Sequence, residues 1–127
     1  MTQIEKNLLS KTVLDALNKS LDGFLLCDAS KKGFPIIWSS DSFFKFTGFS
    51  KEEIYNKPCS FLQGAETSQE TIKIISKALA DKKSYRGKIL NYKKDGTSFW
   101  NYLQLTPIFN EKKLIYYVGI QTDITEI

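Results

Sequence analysis

The last third of the chain decides the fold, and residues 85–124 read YRGKILNYKKDGTSFWNYLQLTPIFNEKKLIYYVGIQTDI. Apolar and polar side chains alternate through much of this stretch, which is also rich in β-branched and aromatic residues, as half-buried strands are. Lys94-Asp95-Gly96 suits a three-residue hairpin loop in which the glycine takes a left-handed conformation. The stretch therefore predicts three consecutive antiparallel strands, at residues 85–92, 97–108 and 114–124.

The chain before this stretch predicts two more strands and several helices. Short apolar runs predict strands at Phe24–Cys27 and Ile36–Trp38. Ser50-Lys51-Glu52-Glu53 and Thr67-Ser68-Gln69-Glu70 are capping-box patterns that mark the starts of helices. We therefore expect an α+β domain, with a five-stranded antiparallel sheet covered on one face by short helices and preceded by an N-terminal helix. The helices are expected at residues 6–20, 41–47, 51–55 and 67–82.

The N-terminal helix carries an apolar stripe in which Leu9, Val13, Leu17 and Leu21 are spaced four residues apart, as on one face of a helix. This stripe either covers the rest of the domain, the simpler expectation for one short helix, or pairs with a second copy of the chain to give a homodimer. The chain is accordingly divided into a flanking helix, residues 1–22, and a single domain, residues 23–127.

The composition excludes several classes of function. The 127 residues include no histidine and two cysteines, Cys27 and Cys59, which excludes His-dependent catalysis, His-ligated metals and four-cysteine zinc sites. Arg86 is the one arginine among 18 basic residues. Because arginine is preferred for reading bases and clamping phosphate, the net charge of +4 indicates a solvated surface and no nucleic-acid partner. With neither a membrane-spanning run nor a secretory signal, we expect a cytoplasmic protein without a disulfide.

Three carboxamides fall on the apolar faces of the predicted strands. By period-two alternation, Asn91, Asn101 and Gln121 lie on the same faces as the apolar residues of their strands. A buried amide without a partner costs about 1–3 kcal/mol, so each of them needs one. Backbone groups at sheet irregularities are one source of partners. Three amides on neighbouring strands favour another source, a planar heterocycle whose edge alternates carbonyl and N–H groups, because a carboxamide presents both a donor and an acceptor.

Residues 56–64 read NKPCSFLQG, and their core Cys-x-Phe-Leu-Gln-Gly resembles the photoactive signature of light-oxygen-voltage (LOV) domains, the flavin-binding branch of the PAS fold. The likeness continues in the helical segment at residues 40–54, in residues 89–101 and in Gly119-Ile120-Gln121-Thr122-Asp123. It covers about residues 24–125, and the chain is identified as a phototropin-like member of this branch.

The resemblance implies a flavin pocket and assigns a role to each matching residue. Cys59 corresponds to the cysteine that bonds flavin C4a after blue-light excitation, and Gln121 to an amide near flavin N5 that rotates in response. Asn91 and Asn101 correspond to the amides that bind the pyrimidine edge of the flavin, and Gln63 to a polar contact along the ribityl chain. For Cys27 the alternative is a small core residue. The positions that line the pocket in the family are occupied by Leu25, Cys27, Leu62, Ile72, Ile75, Leu79, Leu103, Leu105, Tyr117 and Gly119.

The sequence departs from the family pattern at the phosphate end of the flavin. Two arginines that typically hold the FMN phosphate are replaced by Ser60 and Ser76, and Arg86 matches neither position. Lysines near these positions would contact a phosphate only as point charges, without the bidentate geometry of arginine. FMN is therefore the expected cofactor, with riboflavin as its competitor.

The resemblance implies a blue-light sensory domain in which the cysteinyl-flavin bond forms reversibly. No substrate is consumed, so the chain is not expected to be an enzyme. The signal is expected to pass through the sheet and the terminal helices, either to an effector missing after residue 127 or through the chain's own dimer contacts. The alternatives are a PAS ligand-binding or dimerisation module without flavin photochemistry, and a flavoenzyme, for which the sequence offers no glycine-rich nicotinamide-binding motif.

Overall fold

The computed structural model describes residues 2–126, and the side chains of residues 4–9 lie outside that description. The described part of the chain forms one helix, then two strands, then three helices, and finally three strands. In chain order the elements are α1 (Gln3–Lys19), β1 (Gly23–Asp28), β2 (Ile36–Ser39), α2 (Asp41–Thr47), α3 (Lys51–Ile54), α4 (Gln69–Ala80), β3 (Tyr85–Tyr92), β4 (Ser98–Asn110) and β5 (Lys113–Asp123).

The five strands form one antiparallel sheet in the order β2-β1-β5-β4-β3. This confirms the predicted α+β class and the five-stranded sheet, and β3 has the predicted bounds. The hairpin between β3 and β4 closes around residues 94–96, where Gly96 has a φ of 89° as expected of a left-handed position. The last strand, β5, lies in the centre of the sheet because it pairs with β1 on one side and β4 on the other.

The strand periodicity correctly predicts which side chains face the core. Along β5, Tyr117, Gly119 and Gln121 are buried, whereas the residues between them are more exposed. The same alternation buries Leu25 and Cys27 on β1. Burial of these apolar faces is the main force that holds the helices against the sheet. The short helices each contribute a buried side chain to this core, namely Phe43, Ile54 and Ile75.

The helix starts agree with the predicted caps at one place and differ at another. The Ser50 and Glu53 side chains form the predicted capping box at α3. At α4 the cap is Ser68, whose hydroxyl accepts the Thr71 N–H, so the prediction of Thr67 is wrong by one residue. The Thr67 hydroxyl is occupied elsewhere, because it accepts the Gly64 N–H and donates to the Leu90 carbonyl. Thr67 therefore fastens the loop before α4 to β3.

The N-terminal helix buries its apolar stripe only in part, with Leu17 half-buried. Val13, Leu14 and Leu21 are 49%, 47% and 96% exposed, which contradicts the expectation that the stripe covers the domain. The Leu9 side chain lies outside the described residues. The helix is held instead near its end by a polar contact, since the Asn18 side-chain oxygen accepts the Asp41 N–H at the start of α2.

We expect the acid stability of the domain to depend on Glu53. Hydrogen bonds from Lys94 and from the Ser50 N–H lower the pKa of this carboxyl to about 2. In the unfolded chain a glutamate titrates at about 4.3, so the stabilisation is present above that pH and is lost as pH falls towards 2. In Lys94→Met the Glu53 pKa should rise towards its ordinary value, as measured by NMR titration of the carboxyl carbon.

The matched control for this change is Lys112→Met, which removes an exposed lysine from the other hairpin and should leave the Glu53 pKa where it is. A Glu53 pKa that stays near 2 in Lys94→Met would show that the ion pair between α3 and the β3–β4 loop is not formed in solution.

Candidate functional site

A cavity opens between the core face of the sheet, helix α4 and the loop that carries Cys59. Its empty space, including the solvent at its open mouth, is about 600 Å³. The residues that line it are Leu25, Cys27, Cys59, Ser60, Leu62, Gln63, Ile75, Ser76, Leu79, Ile89, Asn91, Leu103, Leu105, Gly119 and Gln121.

Most of the residues that the sequence nominates for the site are brought together in this lining. Ile72, Asn101 and Tyr117 are not part of it. Ile72 is half-buried near the start of α4, and Tyr117 is buried in the core, where its hydroxyl donates to the Lys83 carbonyl at 2.9 Å. Asn101 lies behind the lining, fully buried, and bonds two residues of it. The sequence analysis missed Ile89 as a lining residue, although it shares the core-facing side of β3 with Asn91.

The three carboxamides bond one another through Asn101. The Asn101 Nδ2 group donates to Asn91 Oδ1 at 2.9 Å and to Gln121 Oε1 at 3.0 Å. The Asn101 Oδ1 atom accepts the Thr122 N–H at 3.2 Å. Because this backbone N–H is a donor, Asn101 must turn its oxygen towards it and its NH₂ towards the other two amides. Both of those amides therefore present oxygen to Asn101.

This arrangement leaves one donor at the cavity unpaired. Among the described residues, Gln121 Nε2 is the buried side-chain polar atom with no hydrogen-bond partner. It lies beside Gly119, where a Cβ would stand 3.0 Å from it, so the glycine leaves room for the amide. A buried unpaired donor is costly, and a ligand with an acceptor at this point would satisfy it. The amide set thus fits the heterocycle edge expected from the sequence.

Cys59 faces the same cavity as this amide. It is half-buried, and a hydrogen bond from the Cys27 thiol lowers the pKa of Cys59 against the opposing effect of burial. A lower pKa increases the thiolate fraction, and the thiolate is the nucleophilic form. The residues after Cys59 are fixed by β3, because the Tyr92 N–H donates to the Leu62 carbonyl at 2.9 Å. The Tyr92 ring also lies against Gly64, so that a larger residue at 64 would collide with it.

Among the described residues, the lining of the cavity includes two serine hydroxyls and no lysine or arginine. Ser60 and Ser76 are exposed and belong to the lining, whereas Arg86 on β3 does not. Lys77 does not line the cavity either and pairs with Asp81 at 3.0 Å. The lining therefore offers a terminal phosphate hydrogen bonds but no arginine fork.

Residues 2–126 contain neither a metal-binding cluster nor a helix suited to a membrane. No group of three or more acidic or cysteine side chains is placed to hold a metal ion. None of the helices in this range combines the length and the apolar content that crossing a bilayer requires.

An antiparallel sheet in this strand order, with a cavity between its core face and the short helices, is the arrangement expected of a PAS domain. The family model described as "PAS domain" matches residues 21–126, and the chain belongs to that family. It is a member of the LOV branch, with sequence and structural relatives that are photoreceptors.

Among the sequence relatives, phototropin-2 of Oryza sativa subsp. japonica is 37% identical over 93% of this chain. A blue-light photoreceptor of Listeria monocytogenes is 41% identical over 89% of it. The chain spans 13% of the length of the first protein and 45% of the second, so both relatives contain much that this chain does not match.

Two solved structures show that proteins of different function share this fold. The light-state structure of the Aureochrome1 LOV domain is 33% identical with a TM-score of 0.79, covering 93% of this chain and 90% of that one. The PAS domain of the fruit-fly ELK potassium channel is also 33% identical, with a TM-score of 0.82 and coverages of 92% and 98%. Since the fold is shared with a channel domain, the residues of the cavity must carry the argument for light sensing.

We expect Asn101→Leu to destabilise the domain even without a ligand. The change keeps the number and branching of the side-chain heavy atoms but leaves Asn91 Oδ1, Gln121 Oε1 and the Thr122 N–H without partners in a buried site. At about 1–3 kcal/mol for each of these three groups, the loss should be at least about 3 kcal/mol in urea unfolding of the apoprotein.

Gln104→Leu is the matched control, because it removes a carboxamide from the opposite face of the same strand. It should change the free energy of unfolding by less than about 0.5 kcal/mol, as is usual for surface substitutions. Equal effects of the two substitutions would contradict a central role for Asn101.

Proposed function

We propose that the chain is a blue-light sensory domain that holds a flavin in the cavity and uses Cys59 as its photoreactive thiol. The observation that carries this proposal is the convergence of two groups on one cavity. The unpaired Gln121 Nε2 donor and the Cys59 thiol, whose pKa is lowered, both belong to its lining. A structural core would gain nothing from an orphan donor and a polarised thiol at the same place.

Each polar residue has a distinct part in this proposal. The flavin supplies blue-light absorption and an electrophilic carbon, C4a. Cys59 supplies the sulfur for a bond that forms reversibly, and Gln121 donates to the acceptor beside that carbon. Asn91 would hold the carbonyl and N–H edge of the ring system, Asn101 would fix Asn91 and Gln121 from behind the lining, and Gln63 would contact the ribityl chain. The apolar lining would pack against the ring system.

The hydrogen-bond network suggests how a local change would spread. If Gln121 turned its amide, its NH₂ would face the NH₂ of Asn101, and two donors cannot bond each other. Asn101 would then have to turn as well and release the Thr122 N–H. The Thr122 hydroxyl donates to Asp22 at 3.0 Å, at the junction between α1 and β1. This chain of contacts supports signalling through the sheet to the N-terminal helix.

Substituting each cysteine separately tests the central claim. Cys59→Ala should still bind flavin, because the amides and the apolar lining remain, but should lose the reversible bleaching of its blue absorption band. Cys27→Ala is the matched control, since it removes the other thiol of the cavity and should keep the bleaching. Absorption spectra before and after blue light, and during dark recovery, give the measurement.

Bleaching that survives in Cys59→Ala and disappears in Cys27→Ala would show that Cys27, and not Cys59, is the photoreactive cysteine. A purified protein that is colourless, and stays so with added FMN or riboflavin, would favour the alternative. That alternative is a PAS ligand-binding or dimerisation module, and the likeness to the potassium-channel PAS domain supports it.

FMN is the proposed cofactor, and riboflavin should compete with it unusually well. The phosphate end of the cavity offers Ser60 and Ser76 but no arginine, so the phosphate adds little to affinity. A hydrogen bond to a charged group contributes about 1.5–3 kcal/mol. Ser60→Arg should therefore raise the preference for FMN over riboflavin about 10- to 100-fold, as measured by fluorescence titration of the apoprotein with each flavin.

The control for this change is Ser30→Arg, which adds the same charge in the exposed turn after β1. It should leave the ratio of the two affinities unchanged. An equal gain in both variants would assign the effect to net charge and not to a phosphate contact at position 60.

The oligomeric state, the effector, the cellular location and the partners of the domain stay predictions. The exposed Val13 and Leu14 side chains on α1 support a homodimer through this helix, and the large share of each photoreceptor relative beyond the matched part supports an effector outside this chain. A cytoplasmic location, the absence of enzyme activity, and the absence of nucleic-acid and membrane partners are proposed on the sequence arguments alone.

A further inference from the structure

Both cysteines of the chain line the same cavity. Cys27 is buried on β1, whereas Cys59 is half-buried in the loop before α4. A buried free cysteine usually behaves as a small apolar core residue. The Cys27 thiol is different, because it is hydrogen-bonded to the Cys59 thiol. Both thiols therefore belong to one cavity that opens to solvent.

Backbone pairing explains why these distant segments meet. Cys27 pairs with Ile36 in the ladder between β1 and β2. On the other edge of β2, the Ile36 N–H donates to the Lys57 carbonyl at 2.9 Å, and Pro35 forms an antiparallel bridge with Pro58. Strand β2 is thus bonded to both cysteine-bearing segments and fixes their separation. The contact between the thiols is built into the fold.

The two thiols differ in their readiness to react. The hydrogen bond between them lowers the pKa of Cys59, and the same bond, followed by burial, raises the pKa of Cys27 far above its ordinary value. Burial, followed by the charge on Cys59, also raises the pKa of the nearby Tyr117 hydroxyl, which stays neutral. Cys59 is therefore the more readily deprotonated thiol of the pair, and Cys27 is the less readily deprotonated one.

We propose that hydrogen peroxide converts Cys27 and Cys59 into a reversible intramolecular disulfide, so that the cavity holds a redox site in addition to its light-sensing one. In the first step the Cys59 thiolate attacks one peroxide oxygen, the O–O bond breaks, and a sulfenic acid and hydroxide result. In the second step the Cys27 sulfur attacks the Cys59 sulfur, and water leaves with the hydroxyl group and the Cys27 proton. A small dithiol then restores both thiols by exchange.

The disulfide would silence the light response, because the sulfur that the photochemistry needs would be bonded to Cys27. This consequence depends on the function proposed above, whereas the formation of the disulfide does not. A protein of this kind would respond to light only while its surroundings keep the pair reduced.

The test is to treat the full chain with hydrogen peroxide, both as apoprotein and loaded with FMN, and to measure intact mass and maleimide-reactive thiols. The chain should lose two hydrogen atoms and both reactive thiols, and dithiothreitol should restore them. Cys27→Ser should instead gain oxygen atoms on Cys59, because no resolving thiol remains. Cys59→Ser should keep the Cys27 thiol unmodified, since that thiol is buried and protonated.

Two results would overturn the inference: oxygen atoms on Cys59 of the unsubstituted chain while Cys27 stays free, or a disulfide that joins two chains on a non-reducing gel. The failure of the proposed function has a separate signature. A chain that forms the disulfide but binds no flavin would refute the light-sensing proposal alone, and one that bleaches reversibly but never forms the disulfide would refute this inference alone.

Discussion

The need to pair every buried N–H group organises the centre of this molecule. One backbone donor, the Thr122 N–H, sets the direction of Asn101, and Asn101 in turn sets the direction of Asn91 and Gln121. The remaining donor, Gln121 Nε2, has no hydrogen-bond partner among the described residues. A buried polar network with one unsatisfied member is costly, so it is reasonable that this member is the one that meets a ligand.

Much of the fold is predictable from local patterns. Period-two alternation gives the three consecutive strands and identifies their buried faces, because only one face of each strand is packed. The capping box at Ser50 and Glu53 is local and is confirmed. Predictions that depend on distant partners are less accurate. The Thr67 hydroxyl bonds Leu90 and so leaves the cap to Ser68, and the apolar stripe of α1 leaves Val13 exposed.

The candidate site is predictable in its membership but not in its contacts. The motif around Cys59 and the amides on neighbouring strands nominate most of the lining, and the comparisons confirm the PAS family and its LOV branch. The contact between Cys27 and Cys59 could not be predicted, because it depends on β2 pairing with segments on both of its edges. The bonds from Asn101 to two other amides likewise depend on strand register, which a single sequence does not specify.

The central position of β5 places the two ends of the domain side by side. Gly23, the first residue of β1, pairs with Gln121 near the end of β5, so the segment that enters the sheet and the segment that leaves it emerge together. Domains with adjacent termini tolerate insertion into other proteins. A polypeptide attached at either end of the sheet would start from the same edge, next to Gln121, which is proposed to meet the ligand. The domain is therefore suited to act as a module whose output is attached before it, after it or around it.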